Sequence, residues 1–508
     1  MLRILACLLL ILVNSQLVGA ADSPNLLIIT VDDMSADSIG LFGCPIETTP
    51  RIDELGRSGM RFEYAHVQVG NCMPSRNVMW SGRYPHTSGV EGFYQVKKTN
   101  YPVLCDLMQS AGYWTGIRGK VPHSTPYSPY KWDGVLDSNE KGKPYALKDP
   151  AGYGDATRQG IVRAREAGKK FCLVINVSDP HKPFYSEGKG KGNEAFQDPF
   201  VPSRVFTAAE VPVPGFLFED PEVREELALY YSSVRRADDC VGKVLDALNE
   251  SGLEEETIIL FLSDHGMPLP FAKTQLYHHS THTPLIVRWP GVTKAGAYDQ
   301  THMVSAIDFL PTILEMTGVA EPSGLQGRSF ASILRGQSQD QRDFVIKEYN
   351  ENAGASRDPM RAVQTKQYLY LFNPWSNGER VMASATTGTV TYRRLAKLAK
   401  ENSYFEERHD LYQHRVPEEL YDISKDPDCL HNLIAEPDAR QELTRLRSEL
   451  EDWMNRTEDP LLHVYLKRDD AAYREAAIQK LEQEALERRN GGKKEPGKKG
   501  NKKNSEDE

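Results

Sequence analysis

Cysteine is scarce in this chain, at 7 of 508 residues, and no Cys-x-x-Cys pair or dense spacing suggests a disulfide framework. Basic residues do not predominate. Lys and Arg total 61 against 71 Asp and Glu, and a net charge of −10 argues against a general nucleic-acid binder. After the first twenty residues, no stretch approaches the roughly 18 uninterrupted apolar residues of a membrane helix. No internal repeat is evident, which removes the solenoid architectures.

The early apolar stretch has another reading. Arg3 supplies a positive start, residues 4–13 are unbroken apolar, and Val18-Gly19-Ala20 ends in small residues. This is the pattern of a secretory signal over residues 1–20, cleaved after Ala20 or Ala21. The run is short for a bilayer span, and no cysteine follows to carry a lipid. The mature protein is therefore expected to be exported, to a periplasm or the medium, or to a lysosome in a eukaryotic source. Loss of Cys7 leaves six cysteines, with room for one disulfide that sequence cannot pair. Asn176, Asn249 and Asn455 each open an Asn-x-Ser/Thr sequon.

Roughly 490 mature residues suffice for one large core and a smaller domain. Three segments share a design. Apolar runs at 26–31, 171–177 and 258–262 lead into Asp32-Asp33, Asp179-Pro180-His181 and Asp264-His265-Gly266. Such runs read as strands buried on both faces of a parallel sheet, releasing polar groups at the carboxyl ends where open α/β sheets bind ligands. Helical stretches at 49–58, 104–111 and 223–251 lie between them, so the fold class is α/β. Near residue 345 the texture changes. An aromatic strand at 368–372, Glu418-Glu419-Leu420-Tyr421-Asp422 and a helix at 437–456 suggest a smaller α+β domain over 346–470, after a main domain at 24–345. From about 471 a charged helix gives way to a Lys-, Gly- and Asn-rich tail, expected to be disordered.

Two adjacent carboxylates at a strand end can converge on one cation. With Asp264 and His265 they make a mostly hard, oxygen-rich set suited to Ca²⁺ or Mg²⁺, while the imidazole admits Zn²⁺ or Mn²⁺. Cys72-Met73-Pro74-Ser75-Arg76 follows the first such strand and reads as a helix start. Arg76 lies one turn from Cys72, and a helix N-terminus there favours an anion.

The run Cys72 to Arg76, continued through Ser81-Gly82-Arg83-Tyr84-Pro85, resembles the sulfatase signature, in which the cysteine is oxidised to Cα-formylglycine. A thiol or hydroxyl attacking a sulfate ester is left as a stable adduct. A hydrated aldehyde has two hydroxyls, one to attack sulfur and one to expel sulfate. The resemblance covers essentially the whole mature chain. It implies an alkaline-phosphatase-like sandwich with a mostly parallel central sheet and a smaller C-terminal α+β domain. It also implies Ca²⁺ bound by Asp32, Asp33, Asp264, residue 265 and the converted Cys72. Residue 265 is His where the family has Asn. Lys120 and His123 resemble a Gly-Lys-x-His element with the His one residue late. His181 and Lys273 match a histidine facing sulfate or the leaving group and a later basic residue on sulfate. Catalytic candidates are thus Cys72, Arg76, Lys120, His123, His181 and Lys273. Leu276-Tyr277 and Pro359-Met360-Arg361-Ala362-Val363-Gln364 are closest to heparan N-sulfatase (sulfamidase)-like members, with Glu348 a further pocket candidate. The implied partners are a sulfated carbohydrate and, during maturation, a formylglycine-generating enzyme, with no nucleic acid and no membrane span. Two other readings stand beside this one: a metal-dependent phosphodiesterase or phosphonate monoester hydrolase, and a non-catalytic polysaccharide-binding protein.

Overall fold

The computed structural model describes residues 23–189 and 195–491; the signal segment at 1–20 and the lysine-rich end beyond 491 lie outside them. The apolar runs form the middle of the molecule. Strands β1 (Asn25–Asp32), β2 (Met60–His66), β3 (Trp114–Arg118), β4 (Gly134–Val135) and β5 (Phe171–Pro180) come first. A small hairpin, β6 (Glu187–Lys189) and β7 (Ala195–Gln197), precedes β8 (Thr257–Ser263), β9 (Leu285–Arg288) and β10 (Ala297–Ser305). Eight of these make one sheet in the order β10-β2-β9-β8-β1-β5-β3-β4. Neighbours are parallel except around β9, which runs antiparallel to β2 and β8.

Every residue of β1, β5 and β8 is buried. Strand alternation sends Leu27, Ile29 and Val31 to one face, where they meet helices Pro150–Glu166 and Pro221–Glu250. It sends Leu26 and Ile28 to the other, against helices Leu104–Ser110 and Phe309–Thr317. Both faces are covered, so a continuous apolar run is required rather than an alternating one. Each such side chain contributes about 1.5–3 kcal/mol of burial. Gly160 lets its helix approach β5 closely, since a Cβ there would lie 2.8 Å from Leu173.

A second sheet, wholly antiparallel, contains β11 (Phe344–Asn352), β12 (Ser356–Thr365), β13 (Tyr368–Phe372) and β14 (Glu418–Asp422) in that order. Helix Arg440–Arg456 covers it through Leu446, Leu450 and Trp453, in an apolar cluster continuous with one face of the main sheet. The charged segment from 471 is a helix, Ala471–Gly491. The six cysteines of the described residues are all free and buried, so the disulfide for which sequence left room is not formed among them. Among the described residues, no helix is long and apolar enough to cross a membrane.

Candidate active site

β1 lies between β5 and β8 and is parallel to both, so three strand ends deliver polar residues to one edge. Asp32 closes β1. Asp33 then takes φ 68°, a left-handed turn that Asp tolerates better than most residues and that lets adjacent carboxylates serve one point. Lys120 (φ 48°) and the residues bracketing Lys273, Phe271 (φ 68°) and Thr274 (φ 65°), are also left-handed. Such backbone clusters where a site must be held against its local preference.

Cys72 is the first residue of helix Cys72–Ser81, and all ten residues of that helix are buried. Pro74 falls in the first turn, where its missing N–H breaks no helical bond. The Ser75 hydroxyl donates to the Asp264 carbonyl at 2.7 Å, pinning the helix to the end of β8. Arg76 then spans three strands. Nε donates to Asp264 Oδ2 (3.1 Å) and one terminal nitrogen to Asp32 Oδ1 (3.2 Å). The other donates to Thr30 Oγ1 (2.7 Å) and Asn176 Oδ1 (2.6 Å). Its guanidinium is therefore committed to carboxylates and a strand amide.

Cys72 Sγ lies 3.3 Å from His265 Nε2 and 4.0 Å from Asp33 Oδ1. His265 Nε2 is 3.1 Å from Asp33 Oδ1 and 3.8 Å from Asp264 Oδ1. Ligand atoms of Asp33, Cys72 and His265, and likewise of Asp32, Cys72 and Asp264, lie within 4.8 Å of one another. The Gly266 carbonyl, 2.9 Å from His265 Nδ1, can only accept, so Nδ1 carries a proton and the ring turns its Nε2 toward the carboxylates. Gly266 is required here, because a Cβ would sit 2.0 Å from the His279 carbonyl. Three carboxylates and an imidazole nitrogen converging in this way fit a divalent cation.

Charges balance at the edge: Asp32, Asp33 and Asp264 face Arg76, Lys120 and Lys273. Lys120 Nζ lies 2.7 Å from Asp32 Oδ2, and Lys273 Nζ donates to both Asp33 oxygens at 2.9 and 2.8 Å. Burial alone pushes Asp32 up, but Lys120, His181 and Arg76 outweigh it and hold the carboxyl well below the usual range. Burial pushes Asp33 up as well, and there Lys273 and His181 outweigh it and lower the carboxyl. Asp264 is pushed up to about 6 by burial and the Asp32 charge. Burial drives the Cys72 thiol well up, so the unmodified side chain stays a thiol at neutral pH.

His181 follows the end of β5. Its Nδ1 donates to the Lys182 carbonyl at 2.6 Å, leaving Nε2 as an acceptor, and burial lowers its pKa to about 4 against the pull of Asp33. His123 is lowered to about 3 by burial and Lys120. Both rings are neutral at pH 7. Asp179 is not presented to the cluster: Lys148 Nζ (2.7 Å) and Arg236 Nε (2.6 Å) clamp it. Thr30, Asn176, Lys148 and Arg236 escape sequence reasoning. An Asn inside an apolar strand run is the available signal for Asn176. That residue is fully buried on Arg76, which removes it as a glycosylation sequon. Glu348 is fully buried. Its carboxylate accepts from the His86 backbone N–H (3.0 Å), His86 Nδ1 (2.8 Å) and Asn350 (2.7 Å), in a separate buried cluster.

Residues 24–319 match the sulfatase family, and residues 264–378 match the family described as N-sulphoglucosamine sulphohydrolase, C-terminal. The chain belongs to the sulfatase family and is a hydrolase of sulfuric esters or sulfamates. It is 28% identical to human N-sulphoglucosamine sulphohydrolase over 478 residues, covering 86% of this chain and 91% of that protein. It is 26% identical to an ulvan-active sulfatase of Formosa agariphila, over 85% of this chain and 75% of that protein. A solved protein, BT4656, in complex with its substrate D-glucosamine-2-N,6-O-disulfate, shares the fold with a TM-score of 0.63 at 17% identity, covering 86% of this chain and 99% of that one.

Proposed function

We propose that the protein is an exported sulfatase that removes sulfate from a glucosamine-containing glycan, with N-sulfoglucosamine the first substrate to test. The observation that carries this reading is the meeting of Cys72 with Asp32, Asp33, Asp264 and His265 at the N-terminus of a buried helix. The match of residues 264–378 to the C-terminal family of N-sulphoglucosamine sulphohydrolases supports the choice of amino sugar. We place the catalytic unit at 24–345 and the smaller unit at 346–470. Export rests on the signal pattern of residues 1–20.

Cys72 is the residue for conversion to Cα-formylglycine, whose hydrated aldehyde supplies a hydroxyl nucleophile and a second hydroxyl to release sulfate. Asp32, Asp33, Asp264 and His265 would hold a divalent cation, most simply Ca²⁺, which would supply positive charge beside the sulfuryl oxygens. The protein's own residues do the remaining work. Arg76 fixes Asp32 and Asp264 in register across β1 and β8. Lys120 on Asp32 and Lys273 on Asp33 each bring an ammonium group to the carboxylate cluster, to meet sulfate oxygens there. His181, neutral with Nε2 free, is placed to exchange a proton with the leaving group, and His123 lies beside Lys120.

Two measurements test this. Mass spectrometry of the Cys72 peptide should show the aldehyde, and a thiol in fully active enzyme refutes the conversion. The kcat/KM values for N-sulfated sugar, O-sulfated sugar and a phosphate diester, on one preparation, rank the substrates by transition-state binding. Preference for O-sulfate keeps the sulfatase and discards the N-sulfate assignment. Preference for the diester discards both.

A further inference from the structure

The helix Ala471–Gly491, farthest in sequence from the nucleophile's helix, packs on β12 with Ile478 and Ala485 buried. Its acidic positions engage the segment after β13: Glu475 accepts from Asn377 at 3.1 Å, and Glu475 and Glu482 face Arg380. Its last turns carry two arginines. Arg489 donates to the Gly354 carbonyl at 2.8 Å, in the turn between β11 and β12. Arg488 donates to Glu351, near the end of β11, and its guanidinium lies 4.1 Å from the centre of the Tyr94 ring.

The loop that carries Tyr94 is framed along its length. Arg357 donates to Glu91 at 2.7 Å, and a Cβ on Gly92 would lie 3.0 Å from Glu351 Oε1. The Val96 N–H donates to the Pro126 carbonyl at 2.9 Å. Glu91 and Glu351 are thus matched by Arg357 and Arg488. What this frame holds is Phe93, which is only partly buried. Its ring meets the His123 ring edge-on, with centroids 5.6 Å apart and planes at 73°. His123 Nδ1 has no hydrogen-bond partner among the described residues. A histidine is ordinarily oriented by the bond its second nitrogen makes. Here ring packing takes that part, and Phe93 is the aromatic ring that supplies it.

We propose that Arg488 is a positioning residue for the hydrolysis: through Tyr94 it fixes the loop over residues 91–94, and through Phe93 the plane of the His123 ring. The inference rests on the reading of His123 as an active-site residue. Arg488 itself touches none of the metal-ligand or basic residues of the site. Its side chain is 37% exposed, and Glu351 keeps Arg357 at 3.5 Å when Arg488 is removed, so the fold does not depend on it. Lysine at this position keeps the charge on Glu351 but not the flat face on Tyr94.

Two readouts on the full-length protein test this. Amide hydrogen exchange needs no substrate. In Arg488→Ala, residues 91–96 should exchange at least about tenfold faster than in wild type, while helix Cys72–Ser81 keeps its protection. Turnover is read on whichever sulfated sugar wild type prefers. Arg488→Ala should lose about tenfold in kcat/KM at an unchanged melting temperature, and Arg488→Lys should recover part of that loss. Phe93→Ala should lose at least as much, and adding Arg488→Ala to it should cost less than about twofold more, because both act through one ring. Unchanged exchange in the loop, or independent losses that multiply in the double variant, overturns the proposal. If His123→Ala turns over like wild type, the reading of the site falls and this inference with it. If His123→Ala is slow and Arg488→Ala is not, this inference alone falls.

Discussion

Two clusters of buried charge lie in this protein, and they are built on opposite principles. In the first, at the carboxyl edge of the main sheet, acceptors converge: oxygens of Asp33 and Asp264 and the Nε2 of His265 face one another across 3.1 to 3.8 Å. In the second, beside β11 and β12, donors and acceptors are matched. Glu348 accepts from His86 and Asn350, and His86 Nε2 donates to the Thr457 carbonyl at 3.1 Å. Arg361 spans Asp459, the Tyr349 carbonyl and Asn350. The second cluster has used its bonding capacity on itself and ties the smaller sheet to the loop after helix Arg440–Arg456. The first has lone pairs left over and is braced by left-handed backbone. Both are largely buried, so burial alone does not tell a site from a clamp. The direction of the unused lone pairs does.

The largest expected effect breaks the first cluster without touching the fold. Cys72→Ala should lose about a thousandfold or more in kcat/KM, with an unchanged urea midpoint. The second cluster should respond in reverse. Glu348→Ala leaves Arg361 and His86 buried without that carboxylate and should cost about 3–5 kcal/mol of stability, while activity per folded molecule holds. Equal loss of activity and stability in both variants would erase the distinction.

The clamp also predicts a pH dependence. Burial pulls the His86 ring down, but Glu348 outweighs it and lifts the pKa to about 9. The raised folded value means that this contribution is complete below the unfolded value of about 6.5 and is lost as pH rises through about 9. Glu348 is shifted oppositely. Burial raises it, but His86 and Arg361 outweigh burial and lower it, so its contribution is complete above the ordinary Glu range and lost only in acid. Urea midpoints should fall between about pH 6.5 and 9, and His86→Leu should flatten that fall.

Smaller effects sharpen the first cluster. His265→Asn replaces an imidazole lone pair with an amide oxygen and should shift preference from Zn²⁺ toward Ca²⁺ by about tenfold, read by competitive metal titration. The smallest belongs to Ser75→Ala, which removes one hydroxyl donor to the Asp264 carbonyl and should cost about 1 kcal/mol in urea denaturation.

The same contrast separates what is legible in the amino-acid sequence from what is not. β1, β5 and β8 are legible because both of their faces are covered, which forces apolar continuity. Asp32, Asp33 and Asp264 are legible because they end those runs. β2, β9 and β10 are not. β2 and β10 are only partly buried, and β9 is four residues long, so none presents a long apolar run. Lys148, Arg236 and Asn176 act through partners 31, 57 and 100 positions away, and only the strand order and helix packing bring them together. Glu348 pairs with Arg361 across β11 and β12, with their charged ends 3.6 Å apart, so its closeness in sequence to Pro359-Met360-Arg361 does reflect a shared place. Its side chain also meets His86, from the segment that follows helix Cys72–Ser81.

That helix has a last consequence. Cys72–Ser81 has no exposed residue, and Cys72 itself is 3% accessible. A modifying enzyme needs the segment extended and in hand, which the finished fold forbids. On the proposed conversion, maturation is then a race run once, on the nascent or unfolded chain. A molecule that folds first is sealed as an inert copy, indistinguishable in shape from its active sibling. The active fraction of any preparation would record the relative speeds of folding and modification in the host.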